Sequence, residues 1–337
     1  MTGRRTDGPL RVLLISPAGR GGAGGIDRLM DSVVDAFEAG HGGNVEIERI
    51  VSRGPNAVAT LWMLPLALLR IAGARIAGRA DVVHVNLSSY GSAWRKIVIA
   101  NFSRLLRLPY VVHLHGSEFR EFWTGSAGLK RRLIDGLFAH AQRIALLGTP
   151  WAALVREMVP RAGGRIALLP NATATGERGP RGDGPAHILF IGELGNRKGT
   201  PQLVEALARL RTRKGWRATI AGNGAVEETR KAAAGHGLKH VAIPGWVGAA
   251  GVAGLLADAD ILVLPSFNEN LPMSVIEGMA HGLAVVATPV GATGDIVRDG
   301  ETGLLVEPGD VAALAGALSR LVDDKALRER LGRNAHA

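Results

Sequence analysis

Short apolar runs alternate along this chain with longer stretches in which apolar positions recur at helical spacing. Runs of this kind, bounded by glycine, proline or polar residues, predict parallel strands that are covered on both faces. In the first half of the chain the predicted strands are residues 11–16, 45–50, 81–86, 110–115, 143–147 and 165–169. Helical periods lie between them, at residues 26–39, 94–108 and 129–140.

The second half repeats this alternation. Its predicted strands are residues 187–191, 217–221, 240–243, 261–264, 284–287 and 303–306, with a helix over 201–213 after the first of them. Residues 171–186 have no apolar period and are rich in glycine, proline and threonine, which indicates a linker. The pattern predicts an α/β protein with two Rossmann-like doubly wound parallel-sheet domains, 8–170 and 187–337, facing a central cleft.

The longest apolar stretch, residues 61–76, is interrupted by Pro65, Arg70 and Arg75. It is too short and too charged to span a bilayer, but it suits an interfacial helix. Arg70, Arg75 and Arg79 recur at spacings that place them on roughly one helix face, and Trp94-Arg95-Lys96 adds further cations. We therefore expect this domain to touch an anionic membrane surface. A helix that covers a parallel sheet also needs an apolar stripe, and that alternative stays open.

A net charge of +10 favours anionic partners. Nucleic acid is not expected among them, because the arginines and lysines are scattered and no aromatic-rich basic strand pair occurs. The 337 residues include no cysteine, which excludes disulfides and thiolate zinc sites. The polar first nine residues do not resemble a signal peptide. We expect a cytoplasmic protein, peripheral on the inner face of the membrane if the surface contact holds.

Ligands of doubly wound sheets gather at the carboxyl ends of the strands. Four polar clusters fall at such positions: the glycine-rich loop 19–25, the pair His113 and His115, the turn 192–199, and the loop that holds Glu269. His113 and His115 alternate on one strand, so both face the same side. A metal pair is conceivable there, yet no Asp or Glu with ligand spacing accompanies it. The preferred interpretation is that His113 bonds locally and His115 reaches the cleft.

The loop at residues 265–281, reading PSFNENLPMSVIEGMAH, joins a buried strand to a helix. Pro272 suits the first helical position, and the helix N-terminus offers N–H groups and a positive dipole to an anion. Glu269 lies at its mouth, and Glu277 lies about a turn and a half into the helix. Two carboxylates beside a phosphate need partners of their own, and sugar hydroxyls are suitable donors. The alternative is that both glutamates are solvated surface charges.

Arg197 and Lys198, in the sequence GNRKG, lie at the start of another helix. Cations are unfavourable at a helix N-terminus because the dipole is positive there, and an anion bound between them would offset this repulsion. The alternative is a solvated basic turn. The loop 20–25 permits close approach to a ligand but lacks the dinucleotide-binding pattern, so alone it is also compatible with a simple turn.

Taken together, the segments PSFNEN-LPMSVIEG, GELGNRKG, GLAVVATPVG and DGETGLLV resemble the retaining GT-B glycosyltransferases of family 4. The segments GGIDR and PYVVHLHGSEF are also similar to that family. The resemblance implies that Glu269 meets the hydroxyls of the donor sugar and that Glu277 holds the ribose. It also implies that Lys198 meets the donor diphosphate, and that Asn270 and Leu271 lie where backbone amides meet phosphate.

The resemblance further implies that Gly24 and Gly25 line the diphosphate and that His115 lies near the reacting sugar. Two departures from the family pattern are visible. Glu193 stands where the family usually has an arginine, and Arg197 is the candidate to replace it. The sequence also ends at Ala337 without the last helix that normally crosses back onto the first domain.

The expected activity is transfer of a sugar from a nucleoside-diphosphate sugar to an acceptor hydroxyl. The resemblance implies retention of the anomeric configuration, with neither a metal nor a cofactor. The expected acceptor is a glycan or a lipid-linked molecule in cell-surface polysaccharide or glycolipid synthesis. A nucleotide-sugar epimerase of the same fold and a non-catalytic nucleotide-sugar-binding protein are the alternatives.

Overall fold

A computed structural model describes residues 8–21, 25–41, 43–54, 56–176 and 184–337. The chain divides into two compact units, Met1–Pro170 and Asn171–Ala337. Of the predicted linker, the part at 177–183 lies outside the described residues. The part at 171–176 is bound to the second unit, since the Asn171 side chain donates to Leu271 O at 3.0 Å and Gly176 N donates to Ala280 O at 3.2 Å.

The first unit contains a sheet of six parallel strands. They are β1 (Leu10–Ser16), β2 (Val45–Val51), β3 (Val82–Leu87), β4 (Tyr110–Leu114), β5 (Arg143–Leu146) and β6 (Ile166–Leu168). Their order in the sheet is β2-β1-β3-β4-β5-β6. The helices between them are α1 (Gly25–Glu38), α2 (Ala57–Ile76), α3 (Gly91–Leu105), α4 (Phe119–Thr124), α5 (Gly128–Ala139) and α6 (Thr149–Met158). Leu13, Ile15, Val83 and Val85 in the central strands are fully buried, as helices on both faces of a sheet require.

The second unit repeats this architecture. Its strands are β7 (Ala186–Ile191), β8 (Trp216–Ala221), β9 (Val241–Gly245), β10 (Ile261–Leu264), β11 (Ala284–Ala287) and β12 (Gly303–Leu305), in the order β12-β11-β10-β7-β8-β9. Its helices are α7 (Thr200–Arg209), α8 (Val226–Gly235), α9 (Ala249–Asp258), α10 (Met273–Ala280), α11 (Thr293–Ile296), α12 (Val311–Asp323) and α13 (Lys325–His336). All four residues of β10 and of β11 are buried, which explains why both strands are uniformly apolar.

The predicted α/β class with two doubly wound parallel sheets is confirmed, and each predicted strand appears with its ends within two residues of the prediction. Helix ends were predicted less well. The helix predicted over 201–213 ends at Arg209. Beyond it the chain turns, and Leu210 O accepts from the Arg213 amide at 2.9 Å and from the indole N–H of Trp216 at 3.1 Å. Helix α3 begins three residues earlier than predicted, directly after Tyr90, whose φ of 52° is incompatible with a helix.

Strand order determines which loops meet in each unit. In the first unit β1 lies between β2 and β3, and in the second β7 lies between β8 and β10. These are the switch points of the two sheets, where neighbouring connections leave in opposite directions and open a crevice. The glycine-rich loop follows β1, and the GNRKG turn follows β7. The Glu269 loop follows β10, so it must lie beside the GNRKG turn.

Candidate active site

In the second unit, the turn after β7 carries Lys198 to the neighbouring loop. Asn196–Lys198 form a single 3-10 turn, and Gly199 follows with a left-handed φ of 70°. A Cβ on Gly199 would lie 2.0 Å from Pro265 O, so only glycine permits this approach of the two loops. The amide of Phe267 donates to Arg197 O at 2.9 Å and joins the same two segments.

At this junction the Lys198 ammonium contacts Oε1 of Glu269 in an ion pair. The two side chains are only 13% and 8% exposed, so water screens the pair weakly. Ser266 Oγ also donates to Glu269 Oε1, at 2.7 Å. Ser266 is itself oriented from the next strand, because Thr288 Oγ1 donates to its carbonyl oxygen at 2.6 Å. The carboxylate that would repel a phosphate is thus compensated by its own cation and hydroxyl.

Arg197, the candidate to replace the arginine usual in the family, forms an ion pair with Glu193, which stands where that arginine usually is. Its guanidinium lies 3.0 Å from the Glu193 carboxylate. Both side chains are partly exposed, at 38% and 60%, so the pair is weak and open to exchange. The guanidinium also lies 3.5 Å from Asn268 O, at the edge of the Glu269 loop.

The segment from Glu269 to Leu271 is held close to the loop after β11. Asn270 O accepts from Ala292 N at 2.7 Å. A Cβ on Gly291, whose φ is 59°, would lie 2.2 Å from Glu269 O, so this crossing also requires glycine. Asn270 and Leu271 are buried, at 5% and 4% exposure. Both therefore occupy defined positions directly before the N-terminus of α10.

Glu277 lies on α10, which begins at Met273, one residue later than predicted, because Pro272 has the extended backbone of an N-cap residue, with a ψ of 123°. The Glu277 side chain is half-buried. Its backbone carbonyl accepts from both N and Nδ1 of His281, at 3.1 and 2.8 Å, and this closes the end of the helix. Gly282 follows with a φ of 65°, which confirms the predicted stop.

In the first unit, the glycine-rich loop leads into α1, which starts at Gly25. Gly24 lies outside the described residues. Asp27, in the first turn of α1, accepts from Ala18 N at 3.0 Å, so the helix is bound to the start of the loop. Asp27 is 3% exposed, and burial raises its pKa despite that hydrogen bond and the nearby Arg49.

Beyond β4, His115 is held in one orientation by Asn86 of β3. The Asn86 amide donates to Ile15 O at 3.2 Å, which leaves its Oδ1 facing His115 Nε2 at 3.0 Å. His115 Nε2 therefore carries the hydrogen, and Nδ1 is left as an acceptor. Burial, with a smaller contribution from His84, lowers the pKa of His115 to about 3. The ring is neutral at neutral pH.

His113 and His84 extend this cluster. The rings of His113 and His115 lie on the same side of β4, with centroids 3.9 Å apart, as predicted. His113 bonds locally, with its Nδ1 3.3 Å from His84 Nε2. Burial lowers the pKa of His84 to about 4 and lowers that of His113 further, with His115 and His84 contributing. Among the described residues no group of three His, Cys, Asp or Glu side chains is placed to hold a metal ion.

A buried lysine near the end of β1 was not predicted as part of the site. Lys96 of α3 is fully buried, and its ammonium contacts Ser52 Oγ. Ser52 Oγ in turn donates to Ser16 O at 2.9 Å, at the end of β1. Burial and then the neighbouring Arg95 lower the pKa of Lys96 to about 7, against the attraction of Asp27. Helix α3 contains both polar and apolar residues, so nothing in the sequence indicates that this lysine is buried.

Asn86 and Ser266 were also missed as site residues. Asn86 of β3 orients His115, and Ser266, in the loop after β10 of the other sheet, orients Glu269. Ser266 lies within the motif that identified the Glu269 loop, so its spacing of three from Glu269 is a usable signal. The sequence signal for Asn86 is weaker: it is a polar residue near the end of an apolar strand that lies beside β1.

With this geometry described, the fold compares directly with solved structures. Sucrose-phosphate synthase from Thermosynechococcus elongatus aligns with a TM-score of 0.77 at 21% identity, over 97% of this chain and 93% of that chain. Anabaena HepE, solved with UDP and glucose, aligns with a TM-score of 0.74 at 18% identity, over 97% and 94%. At such identities the likeness establishes a shared fold, and the chain has the fold of the GT-B class.

The sequence comparison gives the family. Residues 10–172 match the glycosyl transferase 4-like domain, and residues 185–324 match the family described as glycosyl transferases group 1. The two matches leave only the ends and residues 173–184 unmatched. The chain therefore belongs to the group 1 glycosyltransferases, as the sequence resemblance predicted.

Two curated relatives show the range of this similarity. The chain is 28% identical over 303 residues to the alpha-D-kanosaminyltransferase of Streptomyces kanamyceticus, covering 82% of this chain and 75% of that protein. It is 36% identical over 164 residues to the glycogen synthase of Mycobacterium tuberculosis, covering 47% of this chain. That second match spans only 39% of the glycogen synthase.

Proposed function

We propose that this protein transfers a glycosyl group from a nucleoside-diphosphate sugar to an acceptor hydroxyl, with retention of the anomeric configuration. The observation that carries the proposal is the contact between Lys198 and Glu269 at the switch point of the second sheet. It places a cation suited to phosphate beside a carboxylate suited to sugar hydroxyls. A nucleoside-diphosphate sugar presents both groups next to each other.

Departure of the nucleoside diphosphate develops negative charge, which the site must stabilise. Lys198 provides a weakly screened positive charge for it. The N-terminus of α10, preceded by Asn270 and Leu271, adds a positive dipole end and backbone amides. Arg197 is partly exposed, so it is able to turn from Glu193 towards the phosphates. These groups supply the required charge in the proposed metal-independent reaction.

Glu269 and Glu277 take the hydroxyl groups of the donor in this proposal. Glu269 keeps one oxygen on Lys198 and Ser266, and accepts hydrogen bonds from the transferred sugar. Glu277, about one turn into α10, accepts from the ribose. In both roles a carboxylate oxygen accepts from hydroxyl groups, and Glu269 uses Oε2 for this because Oε1 is held by Lys198 and Ser266.

From the first unit, Gly24 and Gly25 are proposed to line the diphosphate, and His115 to face the reacting sugar. A neutral His115 with Nδ1 as acceptor accepts from a sugar hydroxyl without adding charge beside the developing cation. The departing phosphate is proposed to take the proton of the acceptor hydroxyl, so no protein nucleophile and no cofactor take part.

The HepE complex with UDP and glucose supports a nucleotide-sugar donor for this fold. The acceptor is proposed to be a glycan or a lipid-linked molecule in cell-surface polysaccharide or glycolipid synthesis. The reaction is assigned to the cytoplasmic side of the membrane.

Acceptor-dependent release of nucleoside diphosphate tests this proposal. A thermal-shift screen against UDP-, GDP- and ADP-sugars first selects the donor. Chromatography then follows the donor with and without candidate glycan and lipid-linked acceptors. A transferase releases nucleoside diphosphate when the acceptor is present. Conversion of the donor sugar without release would instead identify an epimerase, and binding with neither outcome would identify a non-catalytic binding protein.

A further inference from the structure

Helix α2 is apolar on two opposite sides. Its inner side, formed by Ala67, Ile71 and Ala74, is at most 1% exposed. Its outer side carries large apolar residues that are 53–86% exposed; these are Val58, Leu61, Trp62, Leu66, Leu69 and Ile76, called here the outer ridge. A helix that is apolar all round is normally covered on all sides. The outer ridge is therefore a surface that a partner should cover.

Contrary to the expectation from the sequence, α2 is long and apolar enough over Val58–Ile76 to cross a membrane by length and composition, and it is the one such helix among the described residues. Only 17% of this apolar stretch is buried within the protein. The inner side is packed on the first unit, and both ends connect to strands of its sheet, β2 and β3. This attachment favours a helix that lies along a membrane surface over one that spans the bilayer.

Helix α3 packs beside α2 and extends the apolar surface. Trp94, Val98 and Leu105 are 37%, 42% and 78% exposed, and they recur at spacings of four and seven along one side of the helix. Trp62 of α2 and Trp94 of α3 are thus exposed tryptophans on neighbouring helices. Indole rings favour the boundary between lipid head groups and acyl chains, where the ring is apolar and the N–H stays wet.

Basic residues outnumber acidic ones in the part of the sequence that forms this surface. From residue 56 to residue 117 the sequence contains one acidic residue, Asp81, and its carboxylate already accepts from Arg11 N at 2.9 Å. Basic residues are frequent in the same stretch: Arg70, Arg75, Arg79, Arg95, Lys96, Arg104 and Arg107. Glu48 of β2 offsets part of the charge of Arg70 and Arg79, and the remaining excess of cations beside the apolar ridge complements an anionic membrane.

The structure corrects two details of the sequence-based expectation. Lys96 is fully buried and cannot meet a head group. Arg70 and Arg75 of α2 and Arg79, just after its end, do not share one outward face. Arg70 and Arg79 turn towards Glu48 of β2, at 3.0 and 3.2 Å, and Arg75 donates to Leu106 O at 3.1 Å. The cations therefore flank the outer ridge on both sides instead of lying along it.

We infer that the outer ridge of α2, together with Trp94, Val98 and Leu105 of α3, binds the surface of an anionic lipid bilayer. The apolar side chains enter the head-group region, and the flanking arginines contact lipid phosphates. This inference goes beyond the proposed transfer reaction. Combined with that reaction, it favours the lipid-linked class of acceptor, which the membrane would present to the first unit.

Flotation with lipid vesicles tests the inference on the full chain without any sugar substrate. Vesicles of phosphatidylcholine alone are compared with vesicles that also contain phosphatidylglycerol, at low and high salt. We expect flotation with the anionic vesicles and its loss at high salt. Trp62→Ser with Leu66→Ser should lower the floated fraction at least about tenfold. Trp246→Ser, at a residue of the second unit that is 58% exposed, is the matched control and should float as before.

Quenching of tryptophan fluorescence by brominated lipid gives a second reading. The quenching should fall in Trp62→Phe and stay unchanged in Trp246→Phe. Absence of flotation at low salt would overturn the inference. So would a dimer in sedimentation that Trp62→Ser with Leu66→Ser dissociates, because a second copy would then cover the ridge. Donor binding is measured separately by thermal shift, so failure here leaves the proposed transfer reaction intact.

Discussion

The ammonium group of Lys198 contacts the carboxylate of Glu269 across the switch point of the second sheet. The two residues are 71 positions apart in sequence and meet because β7 and β10 are neighbouring strands. With its charge compensated in this way, Glu269 is compatible with a phosphate nearby. The pair joins a phosphate-binding cation to a sugar-binding carboxylate.

This relationship predicts opposite effects of Glu269→Gln on two ligands. Binding of the free nucleoside diphosphate should persist or tighten, because Lys198 loses its competing carboxylate. Turnover of the nucleotide sugar should fall, because the sugar loses a charged acceptor; loss of such a hydrogen bond costs about 1.5–3 kcal/mol. Calorimetry and steady-state kinetics measure the two effects. Equal weakening of both ligands would show that Glu269 does not face the sugar.

Gly199→Ala should damage the same site through the backbone. The residue has a φ of 70°, and a Cβ there would lie 2.0 Å from Pro265 O. Alanine must therefore move the GNRKG turn away from the Glu269 loop, with a stability loss above about 1 kcal/mol. Gly254→Ala, at an open position inside α9, is the control and should be neutral or stabilising. Unchanged melting temperature and donor affinity in Gly199→Ala would contradict the described turn.

Asn86→Leu should reproduce part of the effect of His115→Ala. Asn86 orients His115 by accepting from its Nε2, so the variant should lower kcat by about 10- to 100-fold and leave donor affinity nearly unchanged. His115→Ala should likewise lower turnover far more than donor affinity. The double variant should be little worse than His115→Ala alone, because the two residues act as one unit. Additive losses would mean that Asn86 does not act through His115.

Acid should destabilise the first unit through its buried histidines. The pKa of His84 is about 4 and that of His115 about 3, both below the ordinary histidine pKa of 6.5, because both rings are buried. Below pH 6.5 the unfolded chain binds protons that the folded unit does not, so stability falls as pH falls towards these values, by up to about 1.4 kcal/mol per pH unit for each group.

Hydrogen exchange of β3 and β4, corrected for the intrinsic amide rate, measures this loss. His84→Gln should reduce the dependence of this stability on pH, whereas His140→Gln, at an exposed position, should not. Protection in β3 and β4 that stays constant from pH 6.5 to pH 4 would exclude buried neutral histidines.

Lys96 predicts a second dependence, at alkaline pH. Burial lowers its pKa to about 7 in the folded chain, from the ordinary lysine pKa of 10.5. Between these values the unfolded chain binds one more proton, so the first unit should gain stability as pH rises from 7 to 10, by up to about 1.4 kcal/mol per pH unit. Lys96→Met should abolish the gain, whereas the exposed Lys130→Met should keep it. The same exchange measurement tests this gain. A wild-type unit whose stability does not rise over this pH range would contradict a buried, neutralised lysine.

The strands were predictable because a parallel strand buried on both faces requires an unbroken apolar run, as in β10 and β11. The convergence of the candidate residues was predictable too, since polar residues that end such runs meet at one edge of the sheet. The pairing of Lys198 with Glu269 was not. It depends on β7 lying next to β10, and an apolar run does not specify its neighbour.

Burial of single polar residues was the other limit. Lys96 was expected on the surface because lysines are rarely buried, and only packing of α3 beneath the end of β1 places it inside. The arginines of α2 share a helical spacing, but Glu48 and Leu106 O draw them to opposite sides. Helical periodicity describes directions around one helix and contains no information about the partners on each side.

The central claim is that the turn after β7 and the loop after β10 form the donor site, and titration calorimetry on one pair of variants tests it most directly. Wild type, Lys198→Met and Lys214→Met are titrated with the nucleoside diphosphate selected by thermal shift. Lys214 lies outside the ion pair and is exposed, so its variant is the charge-matched control. We predict about 10- to 100-fold weaker binding for Lys198→Met and wild-type affinity for Lys214→Met. Equal affinity in all three proteins would contradict the account.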